Sequence, residues 1–424
     1  MSEIKKVLIL SQYFSPEPGA PSIRLGQLTK KLIEKNIEVS VITAMPNYPV
    51  GKIFPDYKWL LFKKEYMFGA KIIRTAIYPA TGKKVFSRLA NYFSFMFTSF
   101  FPLIFSKKVD LIFVEAQPII LAIPAFIVGK LRNIPYVYNT PDLQVEYAKE
   151  DAWISIKILI RFAVFLERFL MKNALSVTTV THGFIKYFHN ERNINIDKFT
   201  FLPNGSDLDQ LKVSQYSSKY ADKFGVAGRK VFTFAGTFAP YQGIETLISA
   251  AKLIDDKDII FLLAGKGPAK QKMMELAREE NLNNIKFIES PFEEMNELMS
   301  ITYASIVLLR NLEISKLMRL SKTFPPLACG VPVIFSGLGE SAEIIETFQA
   351  GITIKPEDPL ALAQTIKHLS NSPKQRDEMG LNGRKYIEEH LSWRYIIQDW
   401  LRQIENIKKN KKPEIPHFIY KEKN

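Results

Sequence analysis

Short runs of consecutive apolar residues alternate along this chain with longer segments in which apolar positions recur every three or four residues. Val7 to Leu10 is wholly apolar, and Leu25, Leu28 and Leu32 then share one face of a helix predicted from Ser22 to Lys35. Further strands are predicted at Glu38 to Thr43, Lys71 to Ile77, Leu111 to Glu115, Tyr136 to Asn139, Leu175 to Thr181 and Phe199 to Pro203. Apolar strands separated by amphipathic helices specify parallel sheets covered on both faces. A polar segment, Asn204 to Ala227, reads as a linker, and the pattern then restarts. Strands follow at Val231 to Ala235, Ile259 to Ala264, Ile285 to Ile288, Ser305 to Leu309, Pro332 to Phe335 and Ile352 to Ile354. The expected class is α/β, with two Rossmann-like, doubly wound parallel-sheet domains in series. Their expected bounds are 1–205 and 206–390. Residues 391–424 are expected to supply a helix, Trp393 to Ile407, that packs back on the first domain, and a basic tail. Ligands of such sheets sit beyond the carboxyl ends of the strands, so a cleft between the two domains is the expected site.

Composition narrows the partners. The 424 residues include 57 Lys and Arg against 43 Asp and Glu, a formal charge of +14. That surplus suits phosphates, an acidic membrane surface or nucleic acid. One cysteine, Cys329, allows no internal disulfide and no thiolate cluster. The histidines, His182, His189, His368, His390 and His417, show no metal-site spacing. No apolar leader precedes the first strand, so a cytoplasmic chain is expected.

Leu89 to Phe105 is uncharged and rich in phenylalanine, with Lys83, Lys84 and Arg88 before it and Lys107 and Lys108 after it. It is short for a bilayer span and contains Pro102. A helix lying in the membrane interface is expected, with a buried core helix as the alternative. A second basic and aromatic patch, Tyr57 to Lys64, supports docking on an anionic surface.

Four segments can hold phosphate. Ser15 to Arg24 follows the first strand and opens a helix; Gly19 permits close backbone approach, and Arg24 lies just inside. The G-x-G-x-x-G pattern is absent, which argues against a nicotinamide enzyme. Gly236 to Gly243, including Thr237, follows the first strand of the second domain. Gly265 to Pro268 sets Lys266 between glycines at a strand end. Arg319 to Ile334 is the most informative. Pro325 and Pro326 fit only the first turn of a helix, which must therefore begin near Phe324. Arg319, Ser321 and Lys322 then precede a positive helix end, a plausible diphosphate cradle. His182, at a strand end, and Asp142 are candidates for the sugar or acceptor side.

These motifs resemble those of the retaining family-4 glycosyltransferases of the GT-B fold, in the branch that builds bacterial surface polysaccharides and includes L-fucosamine transferases. The resemblance rests on L-I-L-S-Q-Y-F-S-P-E-P-G-A-P-S-I-R-L, T-A-M-P-N-Y-P-V-G-K-I, Y-N-T-P-D-L, P-N-G-S-D, Q-G-I-E-T-L-I-S-A-A and S-K-T-F…A-C-G-V-P-V-I, in that order. It implies a sugar transferred with retention, without metal or cofactor, from a nucleoside-diphosphate donor, UDP-sugar favoured. The acceptor would be a polyprenyl diphosphate-linked saccharide at the inner face of the membrane, and no nucleic acid is expected. Other polysaccharide-assembly enzymes are possible partners. The resemblance places Gly19 near the donor phosphates, Asp142 on the acceptor side and Lys322 against the diphosphate. It also places Glu340, with backbone N–H groups from Gly337 to Ser341, Gly339 among them, near the donor.

One departure stands out. The family carries two glutamates around the S-K motif, the second gripping the ribose hydroxyls. Here those positions are Leu317 and Pro325. Such a carboxylate–hydroxyl contact is worth about 1.5–3 kcal/mol. Glu313, Glu340 or Glu343 could compensate. The rival readings are a non-catalytic scaffold or partner subunit, and a nucleotide-sugar epimerase.

Overall fold

The computed structural model describes residues 4–80, 85–146 and 157–415. Lys83, Lys84 and His417 lie outside the described residues. The chain forms two compact units: one is Met1–Pro203 with Ile396–Pro416, the other Asn204–Tyr395 with His417–Asn424.

The first unit is built on eight strands: β1 (Lys6–Leu10), β2 (Glu38–Ala44), β3 (Phe62–Met67), β4 (Ala70–Thr75), β5 (Leu111–Glu115), β6 (Tyr136–Thr140), β7 (Ser176–Thr179) and β8 (Phe199–Phe201). Their order across the sheet is β3-β4-β2-β1-β5-β6-β7-β8. Every pairing is parallel except β3 with β4, which is antiparallel. The expectation of a purely parallel sheet is corrected at this edge. Phe62–Met67 reads FKKEYM, an exposed and half-buried alternation that suits an edge strand with one wet face. Its helices are α1 (Ala20–Glu34), α2 (Val85–Ile104), α3 (Ala122–Arg132), α4 (Lys157–Asn173) and α5 (His182–Arg192).

The predicted linker is not one. It contains α6 (Ser218–Phe224), which the Ser217 hydroxyl caps by accepting from the Tyr220 N–H and which Gly225 ends in a left-handed conformation. The second unit continues with β9 (Lys230–Ala235), α7 (Glu245–Lys252), β10 (Ile259–Ala264), α8 (Lys270–Glu279), β11 (Ile285–Ile288) and α9 (Met295–Ser300). Then come β12 (Thr302–Leu308), α10 (Phe324–Ala328), β13 (Val333–Ser336), α11 (Glu340–Thr347), β14 (Gly351–Ile354), α12 (Pro359–Ser370) and α13 (Pro373–Tyr386). Its sheet is wholly parallel, in the order β11-β10-β9-β12-β13-β14. Phe232, Phe234, Phe261 and Leu263 pack with Ile248 and Leu362 in one core beneath it.

The last helix, α14 (Trp393–Lys408), returns the chain to the first unit. There the Trp400 indole is fully buried, edge-on to Phe113, and donates to the Thr178 hydroxyl at 3.2 Å. Gln403 accepts from the Phe201 N–H at 2.7 Å.

Both sheets reverse direction beside a central strand. In the first unit the chain goes from β1 outward to β2 and later returns to β5; in the second it goes from β9 to β10 and returns to β12. The loops after β1, β5, β9 and β12 therefore flank the two switch points, where open α/β sheets bind ligands.

Candidate functional site

In the second unit, the loops after β9 and β10 press backbone against backbone. A Cβ on Gly265 would lie 1.9 Å from the Gly236 carbonyl oxygen, and one on Gly267 would lie 2.5 Å from that of Phe238. Only glycine fits either place. Lys322 crosses directly over this junction. Its Nζ donates to the Thr237 carbonyl at 3.2 Å and stands 5.2 Å from the centre of the Phe234 ring. A Cβ on Gly236 would be 2.5 Å from the Lys322 Cε. Gly236, Thr237 and Lys322 thus converge at the switch point. Burial pushes the Lys322 ammonium down to about 8, because the charged form loses hydration there. A cation held this way gains from any anion that restores its neighbourhood.

Local geometry explains how Lys322 reaches this position. Ser321–Thr323 is one tight 3₁₀ turn, and α10 starts at Phe324 with both prolines in its first turn. The preceding segment is fixed from the side by α11. Ser341 Oγ accepts from the Leu320 N–H at 2.9 Å, and a Cβ on Gly339 would meet the Lys316 carbonyl oxygen at 2.3 Å. Gly339 and Ser341 therefore brace the Lys316 to Lys322 segment. Arg319 and Glu340 are both buried and face each other, Nη1 to Oε1, at 3.4 Å. Arg319 also donates to the Tyr386 hydroxyl at 2.7 Å. Arg319 and Glu340 were both expected near the donor; here each faces the other inside the unit. Lys266 is exposed and ion-paired with Glu289 at 3.1 Å. Lys270 was not singled out, yet its Nζ donates to the Gly265 carbonyl at 2.9 Å. Arg310 was also missed. It reaches from the end of β12 to Pro240 O at 2.8 Å and to Glu245 at 3.0 Å, bracing the loop after β9.

In the first unit, Gly19 caps α1 at φ 128°, a conformation that favours glycine. Arg24, expected to meet phosphate, is instead 4% exposed and ion-paired with the fully buried Glu115. Asn139 donates to the other Glu115 oxygen at 2.6 Å. The pairing follows from register, since Glu115 stands opposite Asn139 at the carboxyl ends of β5 and β6. A phosphate would have to compete with an internal carboxylate for Arg24. Burial raises the Glu115 carboxyl, against the lowering effects of Arg24 and Asn139. Beside it, Gln117 donates to Asp142 at 2.5 Å. Burial also raises the Asp142 carboxyl, opposed by the Arg24 charge and the Gln117 hydrogen bond. Asp142 therefore belongs to a polar cluster at the switch point, with Glu115, Asn139 and Gln117 as members that residue type alone did not reveal. His182 opens α5 behind the Thr181 cap, is 5% exposed and packs on the Phe201 ring at 4.3 Å. Glu17, also missed, accepts from the backbone N–H groups of Asn47 and Tyr48 at 2.8 and 2.9 Å. It ties together the first two motifs that carried the resemblance.

Comparison with known proteins gives this arrangement its family. Residues 19–205 match the model described as Glycosyl transferase 4-like domain, and residues 218–386 match Glycosyl transferases group 1. The chain belongs to the glycosyltransferases of the GT-B fold. Over 417 residues this glycosyltransferase is 23% identical to the "Putative colanic acid biosynthesis glycosyl transferase WcaI" of Escherichia coli strain K12, covering 94% of this chain and 99% of that one. It is 24% identical over 210 residues to the O-antigen chain mannosyltransferase C of Escherichia coli, covering 48% and 54%. Among solved structures, Anabaena Alr3699/HepE in complex with UDP superposes with a TM-score of 0.72 at 16% identity, over 95% of this chain and all of that one.

Proposed function

We propose that this glycosyltransferase moves a sugar from a nucleoside-diphosphate carrier, UDP favoured, to a lipid-linked saccharide during surface-polysaccharide assembly. The observation that carries the reading is Lys322, a partly desolvated cation laid over the Gly236–Thr237 junction. When the donor's glycosidic bond breaks, negative charge grows on the leaving diphosphate, and a preorganised cation there lowers the barrier. Gly339, Ser341 and the Arg319–Glu340 pair hold the Lys322 segment in place, so they are positioning residues in this reading. Asp142 and His182 serve the acceptor side in the first unit. Retention, with no metal or cofactor, is the chemistry the motif resemblance implies. The relatives named for colanic acid and O-antigen, and the UDP-bound neighbour, support the substrate classes.

The membrane side has its own support. Arg132 of α3 donates to the Leu103 and Ile104 carbonyls at the end of α2, both at 3.2 Å, and Phe126 of α3 meets Phe169 of α4 edge-on at 5.1 Å. The three helices so joined expose Phe97, Phe101, Leu131, Ile158, Phe162 and Phe165, each more than 60% accessible. Their only carboxylate is Glu167, buried and paired with Arg192 at 2.6 Å. Exposed aromatic and aliphatic side chains among cations, without an exposed acid, suit an anionic bilayer surface. No described helix is long and apolar enough to cross a membrane. We place the protein at the inner face of the cell membrane as a peripheral enzyme.

The test is transfer of label from a panel of UDP-, GDP- and dTDP-sugars to a membrane extract, with and without EDTA. Chelator-resistant incorporation into a lipid-extractable product is expected. No binding and no turnover with any donor would leave the non-catalytic reading, which Pro325 and Leu317 favour.

A further inference from the structure

A doubly wound sheet normally has helices over both faces. Among the described residues between β4 and β5 there is one helix, α2. A helix about 10 Å across covers roughly two strands spaced about 4.8 Å apart. On α2's side, four strands, β3, β4, β2 and β1, need covering. The shortfall is an open groove of about 1320 Å³, between the sheet and the carboxyl-terminal half of α2.

Register defines its floor. Leu8, Ser40, Lys71 and Tyr66 form one row across β1, β2, β4 and β3, and Ile73 stands opposite Lys64. All six line the groove. The wall is Phe101, Pro102 and Phe105. Lys107 and Lys108, two and three residues beyond Phe105, also line it. One carboxylate lines it, Glu38, and Lys6 pairs with that at 3.0 Å. Lys64, Lys71, Lys107 and Lys108 thus surround an aliphatic and aromatic trough with no groove carboxylate left for them.

We propose that this groove binds one anionic phospholipid, its acyl chain along Leu8, Ile73 and Phe101 and its phosphate among the four lysines. The two chemistries of the groove match the two ends of such a molecule. A soluble nucleotide would leave the trough unfilled, and a zwitterionic lipid would bring a further cation among the lysines. The volume also exceeds the roughly 300–1,000 Å³ usual for small-molecule sites. The inference rests on the docking reading above, because Phe101 is exposed on the α2–α4 face and also walls the groove. Phe101 thus joins the docking face to the groove. The site stands apart from the switch-point loops of its own unit: Lys6 and Glu38 open their strands, at the amino ends of the sheet.

The experiment uses the full chain, delipidated, with dioleoyl phosphatidylglycerol or phosphatidylcholine. Native mass spectrometry counts bound lipid, and vesicle sedimentation measures docking. One phosphatidylglycerol per chain is expected, with phosphatidylcholine at least about tenfold weaker. Lys64→Glu with Lys71→Glu should weaken the one-to-one complex at least about tenfold, and so should Lys107→Glu with Lys108→Glu, which lies outside the sheet. Thermal melting and nucleoside-diphosphate binding by the second unit report that the variants remain folded. Sedimentation without a one-to-one complex overturns the groove and leaves docking standing. Equal binding of the two lipids, or wild-type binding by both charge-reversed pairs, also overturns it. A failure of the wild type to sediment refutes the docking reading and removes the bilayer source on which the groove depends.

Discussion

Replacing Lys322 by methionine keeps an unbranched side chain over Phe234 and removes the charge. A charge-assisted contact is worth about 1.5–3 kcal/mol, so nucleoside-diphosphate affinity at pH 7 should fall roughly 10- to 150-fold. The wild type adds a pH signature. With the ammonium pushed down to about 8, close to nine-tenths of chains are charged at pH 7 and about one-tenth at pH 9. Diphosphate binds the charged form, so affinity should drop about tenfold across that interval, with proton uptake on binding at the upper end. Stability moves in the opposite sense. The folded value lies below the ordinary lysine value of 10.5, so the unfolded chain binds more protons between about 8 and 10.5. This group's contribution to stability therefore rises with pH through that window. Isothermal titration of a nucleoside diphosphate at pH 7, 8 and 9, in two buffers of different ionisation enthalpy, measures affinity and proton uptake together. Identical pH profiles for wild type and Lys322→Met would refute the role assigned to the lysine, whatever the base itself contributes.

Three further outcomes follow from the same geometry. Gly236→Ala puts a methyl 2.5 Å from the Lys322 Cε, so nucleoside-diphosphate affinity should fall at least about tenfold by calorimetry while the circular dichroism spectrum is retained. Glu115→Gln removes the carboxylate paired with the buried Arg24 and leaves the Asp142 charge as a weaker counterweight, so urea denaturation should show a loss of up to about 3–5 kcal/mol. Pro325→Glu offers a carboxylate where the family grips the ribose; about tenfold tighter binding of a nucleoside diphosphate than of its 2′,3′-dideoxy analogue is expected, and equal affinities would remove that role.

What could be read in advance had local causes. Leu111 to Val114 and Ile259–Ala264 are continuous apolar runs, and both strands lie where the pattern put them. The start of α10 at Phe324 follows from two prolines that can occupy only a first turn. The glycine loops were legible because a tight strand-end turn admits little else. What could not be read depended on distant partners. Arg24 looks like a phosphate ligand until Glu115, 91 residues away, is placed beside it. Arg319 looks the same until Tyr386 and Glu340 surround it. The β3 strand escaped because its centre is a run of three charges, Lys63-Lys64-Glu65, which an edge strand tolerates but which reads as surface. The exposed face of α4 escaped because its hydrophobic period suits a core helix equally well; only its exposure separates the two.

The return of α14 to the first unit bears on how the protein is made. Trp400 fills the interior of that unit and Gln403 satisfies the Phe201 backbone, yet both emerge from the ribosome after the whole second unit. At about 5–20 residues per second, the roughly 190 intervening residues take on the order of 10–40 s to synthesise. Through that interval the nascent first unit lacks its closing helix, while the second has every strand it needs. The half of the chain that is born first is the half that must wait, with an apolar slot open for the tryptophan. Shortening the chain before Ile396 would make that wait permanent.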